Sequence, residues 1–297
     1  MYKTLIPFRS VRKKILNALD FIPDPVMLHC QYFMKFYRPM SLDNPVRFSE
    51  KLQWYKLNYR VDLMTQCVDK VSVREFVADR GLASHLIPVH AVYDTPDDID
   101  LDSLPNKFAL KFSNGAKWNI ICHDKSRLDW PHAMKEIRSW FREPVGRLGR
   151  EWSYYGVRPR LLVESLLESE GGQVPEDYKF FCFNGKTSFL YVIQGRFSED
   201  GIRLGVYDSN FRRMNVSRRG IRPLEEAERP KHFEEMVEIA NRLSHGFPHV
   251  RVDLYNVSGK IYFGELTFYS ASGYAAFEPD SFDRDVGRLF TLPDQSA

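Results

Sequence analysis

The sequence lacks the marks of several protein classes. Its 297 residues contain no run of 18 apolar residues, so we expect no membrane-spanning helix. The N-terminal stretch has neither an uninterrupted apolar core nor a small-residue cleavage site, which argues against a signal peptide. No internal repeat or low-complexity segment is present. These absences predict a soluble, globular, cytoplasmic protein.

Cysteine is also scarce. The four cysteines lie far apart in the sequence and form no CxxC pair (Cys30, Cys67, Cys122 and Cys182). Zinc sites and disulfide frameworks usually show short, regular cysteine spacings. We therefore expect free, buried thiols in a reducing compartment and no metal site built on cysteine.

Charge is nearly balanced overall but uneven along the chain. The net charge is +3, whereas residues 1–40 carry seven basic and two acidic side chains, a net charge of +5. Two interpretations stay open for this segment. It is either a peripheral contact with the inner face of the cytoplasmic membrane or a solvated basic helix packed on the next domain. Basic residues elsewhere are offset by acidic ones, so we expect no nucleic-acid partner.

Apolar periodicity predicts an α+β fold. A chain of this length favours two lobes, and we divide it into a helical N-terminal segment (1–66), an N-terminal lobe (67–158) and a C-terminal lobe (159–293). One early helix is predicted to begin near Phe48 with Ser49 as its N-cap. The other predicted helices span 11–22, 26–37, 69–80, 130–141 and 230–246, and the predicted strands span 87–93, 108–112, 120–122, 160–167, 177–183 and 187–193.

Charged residues interrupt three of the predicted strands. Lys111 is followed by a small-residue loop, SNGAKWN, whose free backbone amides suit a phosphate, although a lysine that reaches solvent along a sheet explains it equally well. Glu164 lies inside an apolar run and needs a partner or a ligand. Asp177 and Lys179 share one strand face, where a surface ion pair is the alternative interpretation.

Residues 250–272 are predicted to form a hairpin with two more carboxylates. A three-residue loop, 258–260, pairs Asp253 with Glu265 and Arg251 with Thr267, whereas a two-residue turn slips the pairing by one. Paired like charges are unfavourable by up to ~1 kcal/mol, and Mg²⁺ would reverse that sign. The alternative is a half-exposed hairpin with solvated acids.

A second acidic segment, TPDDIDLDSLP at 95–105, has aspartates spaced like the metal motif of some glycosyltransferases. An acidic loop whose aspartates cap helices is the alternative interpretation.

In order along the chain, these segments resemble the ATP-grasp superfamily. The closer resemblance is to the TupA-like ATP-grasp family of cell-surface polysaccharide biosynthesis, named for teichuronopeptide synthesis. It implies the ATP-grasp fold, in which two α+β lobes clasp ATP. It covers residues 40–293 and rests on FSEKLQWYKLNYR, DKVSVREFV, FALKFSNGAKWNIICHDK, REWSYYGVRPRLLVES, DYKFFCFNGK and FPHVRVDLYNVSGKIYFGELTFYSASG.

The resemblance implies a nucleotide site. Lysines would contact the α- and β-phosphates and the adenine, a mobile loop would fold over the phosphates, a hinge would read the adenine edge, and an aspartate would hold the ribose. The implied ATP-binding residues are Lys70 and Lys111 as the lysines, Asn114 and Gly115 in the mobile loop, Glu164, Ser165 and Leu166 as the hinge, and Asp177 as the ribose-binding aspartate, with Lys179 beside it.

The resemblance also implies a metal site and a catalytic arginine. Asp253, Glu265 and Thr267 would bind one or two Mg²⁺ ions, and Arg251 would face the γ-phosphate and the anionic intermediate. Two departures from the family pattern matter. Thr267 replaces the asparagine usual in the superfamily, and Asn114 to Trp118 replace a His-Gly-Ser-Gly-like loop, so that Lys117 would supply a charge in place of backbone amides.

These roles imply an ATP- and Mg²⁺-dependent carboxylate–amine ligase that works through an acylphosphate. Its substrates would be an amino acid and the uronic-acid carboxylate of a surface glycan or glycan precursor. The chief alternative is a glycosyltransferase that uses a nucleotide sugar. A third is a binding module that keeps the fold without activity.

Overall fold

The computed structural model describes residues 8–115, 118–169, 174–196, 198 and 201–293. It begins with five helices, of which the sequence pattern predicts four. These are α1 (Arg9–Ala18), α2 (Asp24–Phe36), α3 (Phe48–Asn58), α4 (Asp62–Val68) and α5 (Val73–Asp79). No helix in these ranges is long and apolar enough to cross a membrane.

A four-stranded antiparallel sheet forms the smaller lobe. Its strands are β1 (Val89–Tyr93), β2 (Phe108–Phe112), β3 (Asn119–Cys122) and β4 (Leu161–Glu164), in the order β1-β4-β2-β3. Helix α6 (Trp130–Trp140) packs on it through Ile137 and Trp140. Because β4 completes this sheet, the sheet extends past the predicted lobe boundary at residue 158.

The larger lobe is built from β5 (Asp177–Phe183), β6 (Lys186–Gln194), β7 (Arg203–Asp208), β8 (Ser217–Arg218), β9 (Arg222–Pro223), α7 (Phe233–Ser244), β10 (His249–Val257), β11 (Lys260–Thr267), β12 (Phe277–Glu278) and α8 (Ser281–Leu289). Six of these strands form one sheet, in the order β11-β10-β5-β6-β7-β9. Asn184 and Gly185 make the β5–β6 turn with positive φ angles (49° and 77°), as an Asn-Gly hairpin requires. Outside this sheet, β8 pairs with β12.

The main core joins the early helices to the larger sheet. Phe48 at the start of α3 packs on Phe181 and Phe183 of β5. The predicted N-cap is wrong, because α3 begins at Phe48, directly after Arg47. The Ser49 amide and hydroxyl instead donate to buried Asp283 of α8, at 2.9 and 2.7 Å. This contact ties the first helices to the end of the chain.

The cysteines are free, as predicted. Three of them are buried, but Cys30 on α2 is exposed, which corrects the expectation that all four are buried. Burial raises the pKa of the Cys67 thiol to about 12, so this side chain is a neutral core residue at physiological pH.

Candidate active site

The β10–β11 hairpin has the predicted pairing. Asp253 lies opposite Glu265, and Arg251 lies opposite Thr267. The predicted three-residue loop is wrong, because Val257 pairs with Lys260 across a two-residue turn of Ser258 and Gly259. Both turn residues have positive φ (52° and 95°), the conformation that favours a tight hairpin.

A β-bulge reconciles the short turn with the predicted pairing. Leu254 pairs with Phe263 and Asp253 pairs with Glu265, so Gly264 is the extra residue between the two pairs. A Cβ atom at Gly264 would lie 3.0 Å from the Tyr255 ring and 3.1 Å from the Asp253 carbonyl oxygen. The bulge therefore favours glycine, and it turns both carboxylates toward one cavity.

Arg251 holds the two carboxylates together. Its Nε and Nη2 donate to the two Asp253 oxygens at 2.6 and 2.7 Å, and Nη2 also donates to Glu265 Oε1 at 3.2 Å. Lys179 on the neighbouring strand β5 donates to Asp253 and lies 3.4 Å from Asp177. The ion pair of Asp177 and Lys179, which was the alternative interpretation of these two residues, is thus part of a larger network that also includes the hairpin.

One more predicted residue, Lys70, reaches the hairpin from the smaller lobe. Lys70 Nζ donates to the Gly115 carbonyl at 2.5 Å and lies 3.9 Å from Glu265 Oε2. The Lys70 amide donates to the Ser113 carbonyl at 2.9 Å, and Asp69 pairs with Asn114 in an isolated β-bridge. The loop after β2 is therefore fastened to the segment before α5. Lys117 lies outside the described residues.

Lys111 and Glu164 are partners. Lys111 Nζ donates to Glu164 Oε2 at 2.5 Å, and Arg74 lies 3.5 Å from the other carboxylate oxygen, which supplies the partner that a buried acid needs. In the predicted hinge, the Ser165 amide already donates to the Pro88 carbonyl at 2.9 Å. Leu166 is half-buried beyond it.

Arg196 was missed by the sequence reasoning. It follows β6, and its Nε and Nη2 donate to Asp177 Oδ2 at 2.8 and 2.6 Å. Asp177 therefore already has a partner at the position predicted for a ribose. The sequence gives only a weak indication of this role, since an arginine after a glycine at a strand end is common. Only the strand order brings it to Asp177.

A cavity of about 480 Å³ opens in front of this network. Its lining includes Asp177, Lys179, Arg196 and Glu265. Together with the neighbouring charges around Lys70 and Lys111, the site contains six cations and four carboxylates, which leaves two positive charges in excess. They are Lys70, Arg74, Lys111, Lys179, Arg196 and Arg251, and Glu164, Asp177, Asp253 and Glu265. An excess of this sign attracts an anionic ligand.

Electrostatics keep the half-exposed Glu265 ionised. Its burial raises the pKa, but the charges of Lys70, Lys179 and Arg251 outweigh burial and lower it to about 2. Burial lowers the pKa of Lys70, although the neighbouring Glu265 opposes this shift. A carboxylate that stays charged at every physiological pH is a suitable cation ligand.

The sequence model of the TupA-like ATP-grasp family matches residues 50–291. The chain belongs to the TupA-like ATP-grasp family. The match spans both sheets and the whole network, and it confirms the predicted ATP-grasp fold. No curated protein matches the sequence.

Solved ATP-grasp structures are similar to this TupA-like chain at low identity. They include D-alanine–D-alanine ligase from Bacillus anthracis complexed with ATP (14% identity, TM-score 0.41, 68% of this chain and 55% of that one). Others are the ATP-grasp ligase PsnB with Mg, ADP and a phosphomimetic precursor variant (10%, 0.44, 82% and 66%) and phosphoribosylamine–glycine ligase from Thermotoga maritima (13%, 0.41, 69% and 48%). The TupA-like chain spans about half to two thirds of their lengths.

The donor set of the TupA-like hairpin fits Mg²⁺ bound together with phosphate. The described residues include no group of three or more histidines, cysteines or carboxylates that could hold a metal alone. Mg²⁺ usually takes one or two carboxylates and completes its shell with water and phosphate oxygens. Asp253 and Glu265 would hold it, while Thr267, which donates to Glu265 Oε1 at 3.3 Å, orients that carboxylate.

The acidic segment 95–105 has no such arrangement. Asp98 accepts from the Thr95 amide and hydroxyl at 3.1 and 2.8 Å, and Asp97 pairs with Arg138 at 2.7 Å. These aspartates cap a turn and bind an arginine, as the alternative interpretation of this segment expects.

Proposed function

We propose that this TupA-like protein is an ATP- and Mg²⁺-dependent ligase that joins a carboxylate to an amine through an acylphosphate. The pairing of Asp253 with Glu265, beside Arg251 and opposite the half-buried Lys70, carries the proposal. Two carboxylates for the metal and separate cations for the phosphates are what phosphoryl transfer from ATP requires.

The first step forms the acylphosphate. A carboxylate oxygen of the substrate attacks the γ-phosphorus of ATP, the bond to the β-γ bridging oxygen breaks, and ADP leaves. Mg²⁺ bound to Asp253 and Glu265 would neutralise charge on the phosphates. Lys70, Lys111 and Arg251 place positive charge around the transferred group, and positioning with charge neutralisation is most of what this reaction needs.

The second step forms the amide. The amine nitrogen attacks the acyl carbon, the carbon–oxygen bond to phosphate breaks, and inorganic phosphate leaves while the amine loses a proton. Arg251 serves this step by binding the departing phosphate, since its guanidinium already carries a pair of parallel hydrogen bonds to Asp253 that a phosphate can accept instead.

The proposed acceptor is the uronic-acid carboxylate of a surface glycan or of its precursor, and the proposed amine is an amino acid. The polysaccharide context of TupA-like proteins supports this choice. Free carboxylates on a sugar ring and amines on amino acids also match the two reacting groups that the mechanism needs.

The test is ADP release from ATP and Mg²⁺ with glucuronate or galacturonate and pooled amino acids. Release should require both substrates, and mass spectrometry should detect the amide. Glu265→Gln should abolish release, whereas Glu234→Gln, which alters an exposed acid paired with Arg229, should leave it unchanged. Equal activity in the two variants would remove the metal assignment.

The glycosyltransferase alternative predicts turnover of nucleotide sugars without ATP. Its candidate metal motif, the acidic segment 95–105, is occupied by the hydrogen bonds of Asp97 and Asp98. Turnover of UDP-glucuronate in the absence of ATP would nevertheless refute the ligase proposal.

We also propose that α1 and α2 contact the inner face of the cytoplasmic membrane. Phe8 before α1 (69% exposed), Phe21 between the helices (81%) and Phe33 on α2 (55%) leave large apolar rings in solvent, and α1 also carries the exposed cation Lys14. Aromatic rings beside cations favour an anionic lipid surface. The protein should sediment with phosphatidylglycerol vesicles at low salt, and absence of sedimentation would refute the contact.

A further inference from the structure

Lys56 is a buried cation on α3 that does not line the cavity in front of the hairpin. Its side chain is 1% exposed. Burial lowers the pKa of Lys56 to about 8, although the charges of Glu151 and Asp24 oppose this shift. At neutral pH the side chain therefore remains an ammonium group with three hydrogens to donate, and a buried charge of this kind needs acceptors for all of them.

The acceptors of Lys56 connect two segments that are far apart in the sequence. Its Nζ donates to the Gly149 carbonyl at 2.7 Å and to the Ser272 carbonyl at 2.9 Å. The third acceptor is the side chain of Gln53, one turn earlier on α3, at 3.0 Å. A Cβ atom at Gly149 would overlap the Ser272 hydroxyl, so the two segments touch. Lys56 therefore fastens the segment that follows β11 to the turn at 147–149.

The segment after β11, residues 270–273, has a backbone that needs such an anchor. Ala271 and Ser272 have φ angles of 50° and 56°, and Gly273 follows with a φ of 72°. The left-handed conformation is unfavourable for residues that have a side chain, and here two such residues adopt it in succession. Gln53 adds a second hydrogen bond to the Ser272 carbonyl, at 3.2 Å. Buried contacts from α3 thus hold the segment in a shape that its own residues disfavour.

The segment begins at a residue that contacts Arg251. Arg251 Nη1 donates to the hydroxyl of buried Ser270 at 3.0 Å. The other guanidinium nitrogens donate to Asp253, Glu265 and Thr267. Asp253 and Glu265 are also the proposed metal ligands, so the Ser270 hydroxyl is a partner of Arg251 for which a metal ion would not compete.

We propose that Lys56 is a positioning residue that acts through Ser270 to aim Arg251 at the γ-phosphate of ATP. This role rests on the proposed ligase function, in which Arg251 faces that phosphate. Lys56 holds Ser272, and the shape of the segment then places Ser270 against Nη1 of the guanidinium. Without the ammonium group the strained segment would relax, and the hydroxyl would move away from Arg251. The nucleotide would still bind through the lysines of the smaller lobe, but its γ-phosphate would lose an oriented cation.

The test compares the affinities for β,γ-imido-ATP, which is not cleaved, and for ADP, measured by calorimetry with Mg²⁺ on the intact chain. Lys56→Met nearly keeps the length of the side chain and buries no charge, so ADP affinity should stay within about twofold of the wild type. Imido-ATP affinity should fall about tenfold, since a hydrogen bond between charged groups contributes about that factor. Parallel losses for both nucleotides would give Lys56 a purely structural role and overturn the proposal, and unchanged affinities would overturn it as well.

A second substitution tests the route through Ser270. Ser270→Ala removes the hydroxyl directly and should reduce the preference for imido-ATP by a similar factor. If Lys56 acts through Ser270, the double variant should lose no more than either single variant, whereas independent effects would multiply. Multiplied losses would therefore overturn the proposal.

Lys51→Met is the matched control. Lys51 lies on the same helix and also donates to a backbone carbonyl, that of Phe290 at 2.7 Å, which is not part of the segment 270–273. The control should bind both nucleotides with the preference of the wild type. A loss of imido-ATP preference equal to that of Lys56→Met would show that any lysine of α3 has this effect, and would overturn the specific role of Lys56.

The outcome can be separated from the ligase test. A wild type that prefers imido-ATP over ADP but releases no ADP with any substrate pair would refute the ligase function, and the affinities of the variants would still decide the role of Lys56. ADP release by the wild type, combined with unchanged affinities in Lys56→Met, would refute the positioning role alone. Equal affinity of the wild type for the two nucleotides would also refute it, because Arg251 would then not favour the γ-phosphate.

Discussion

Buried His249 should make the larger lobe sensitive to acid. Its ring lies 4.7 Å from the Phe183 ring in a stacked arrangement and 5.1 Å from Phe48 edge-on. Nδ1 donates to the Cys182 carbonyl at 2.9 Å, and buried Nε2 has no hydrogen-bond partner among the described residues. A proton on Nε2 would therefore be an unpaired buried charge.

Burial lowers the pKa of His249 from 6.5 to about 3. The unfolded chain then binds a proton at a pH where the folded chain does not, so stability is complete above pH 6.5 and falls as the pH drops toward 3. At about 1.4 kcal/mol per pH unit, acidification to pH 5 removes about 2 kcal/mol of the free energy of unfolding.

Urea unfolding at pH 7.5 and pH 5 measures this loss. His249→Phe keeps a ring among the aromatic neighbours and removes the titrating group, so the variant should lose about 2 kcal/mol less than the wild type on acidification. His245→Asn, at an exposed histidine, should behave like the wild type. Equal losses in wild type and His249→Phe would show that this ring does not remain neutral in the folded protein.

Three further substitutions test the fold and the nucleotide site. Asp283→Ala removes the acceptor of two buried hydrogen bonds and should cost about 3 kcal/mol in urea unfolding, whereas Asp285→Ala, at an exposed ion pair, should cost under about 1 kcal/mol. Lys111→Ala should weaken ATP binding at least about tenfold in calorimetry, and Lys107→Ala, on the exposed face, should not. Arg196→Ala should weaken ATP binding about tenfold if this cation turns from its carboxylate to a phosphate; unchanged affinity would confine Arg196 to a structural role.

Local patterns predicted most of the fold. Apolar stripes located α1 to α3, and the Asn184-Gly185 turn located the β5–β6 hairpin, because these signals are contained within a few neighbouring residues. Helix α8 was missed, although its Asp283 binds Ser49 from the other end of the chain. A partner so distant in sequence leaves no periodic pattern.

In the candidate site, too, features set by neighbouring residues were predictable and features set by distant contacts were not. The pairing of Asp253 with Glu265 was predicted from a three-residue loop, and the pairing is correct although that loop is wrong. The two-residue turn and the bulge that produce the pairing were not predicted, because Ser258-Gly259 suits a two-residue turn as well as part of a longer loop, and an isolated glycine such as Gly264 only suggests a bulge. Arg196 depends on the strand order of the sheet, which brings the end of β6 beside Asp177.

The bulge at Gly264 also affects which length changes the hairpin can accept. Eleven residues separate Asp253 from Glu265, an odd number that a two-residue turn cannot pair completely. Gly264 absorbs the surplus, so its deletion would leave a regular ladder with the same two carboxylates opposite each other. Loss of a residue within 254–257 would instead shift the ladder. We therefore expect the hairpin to tolerate a change in length most easily at Gly264, directly beside the carboxylate of Glu265.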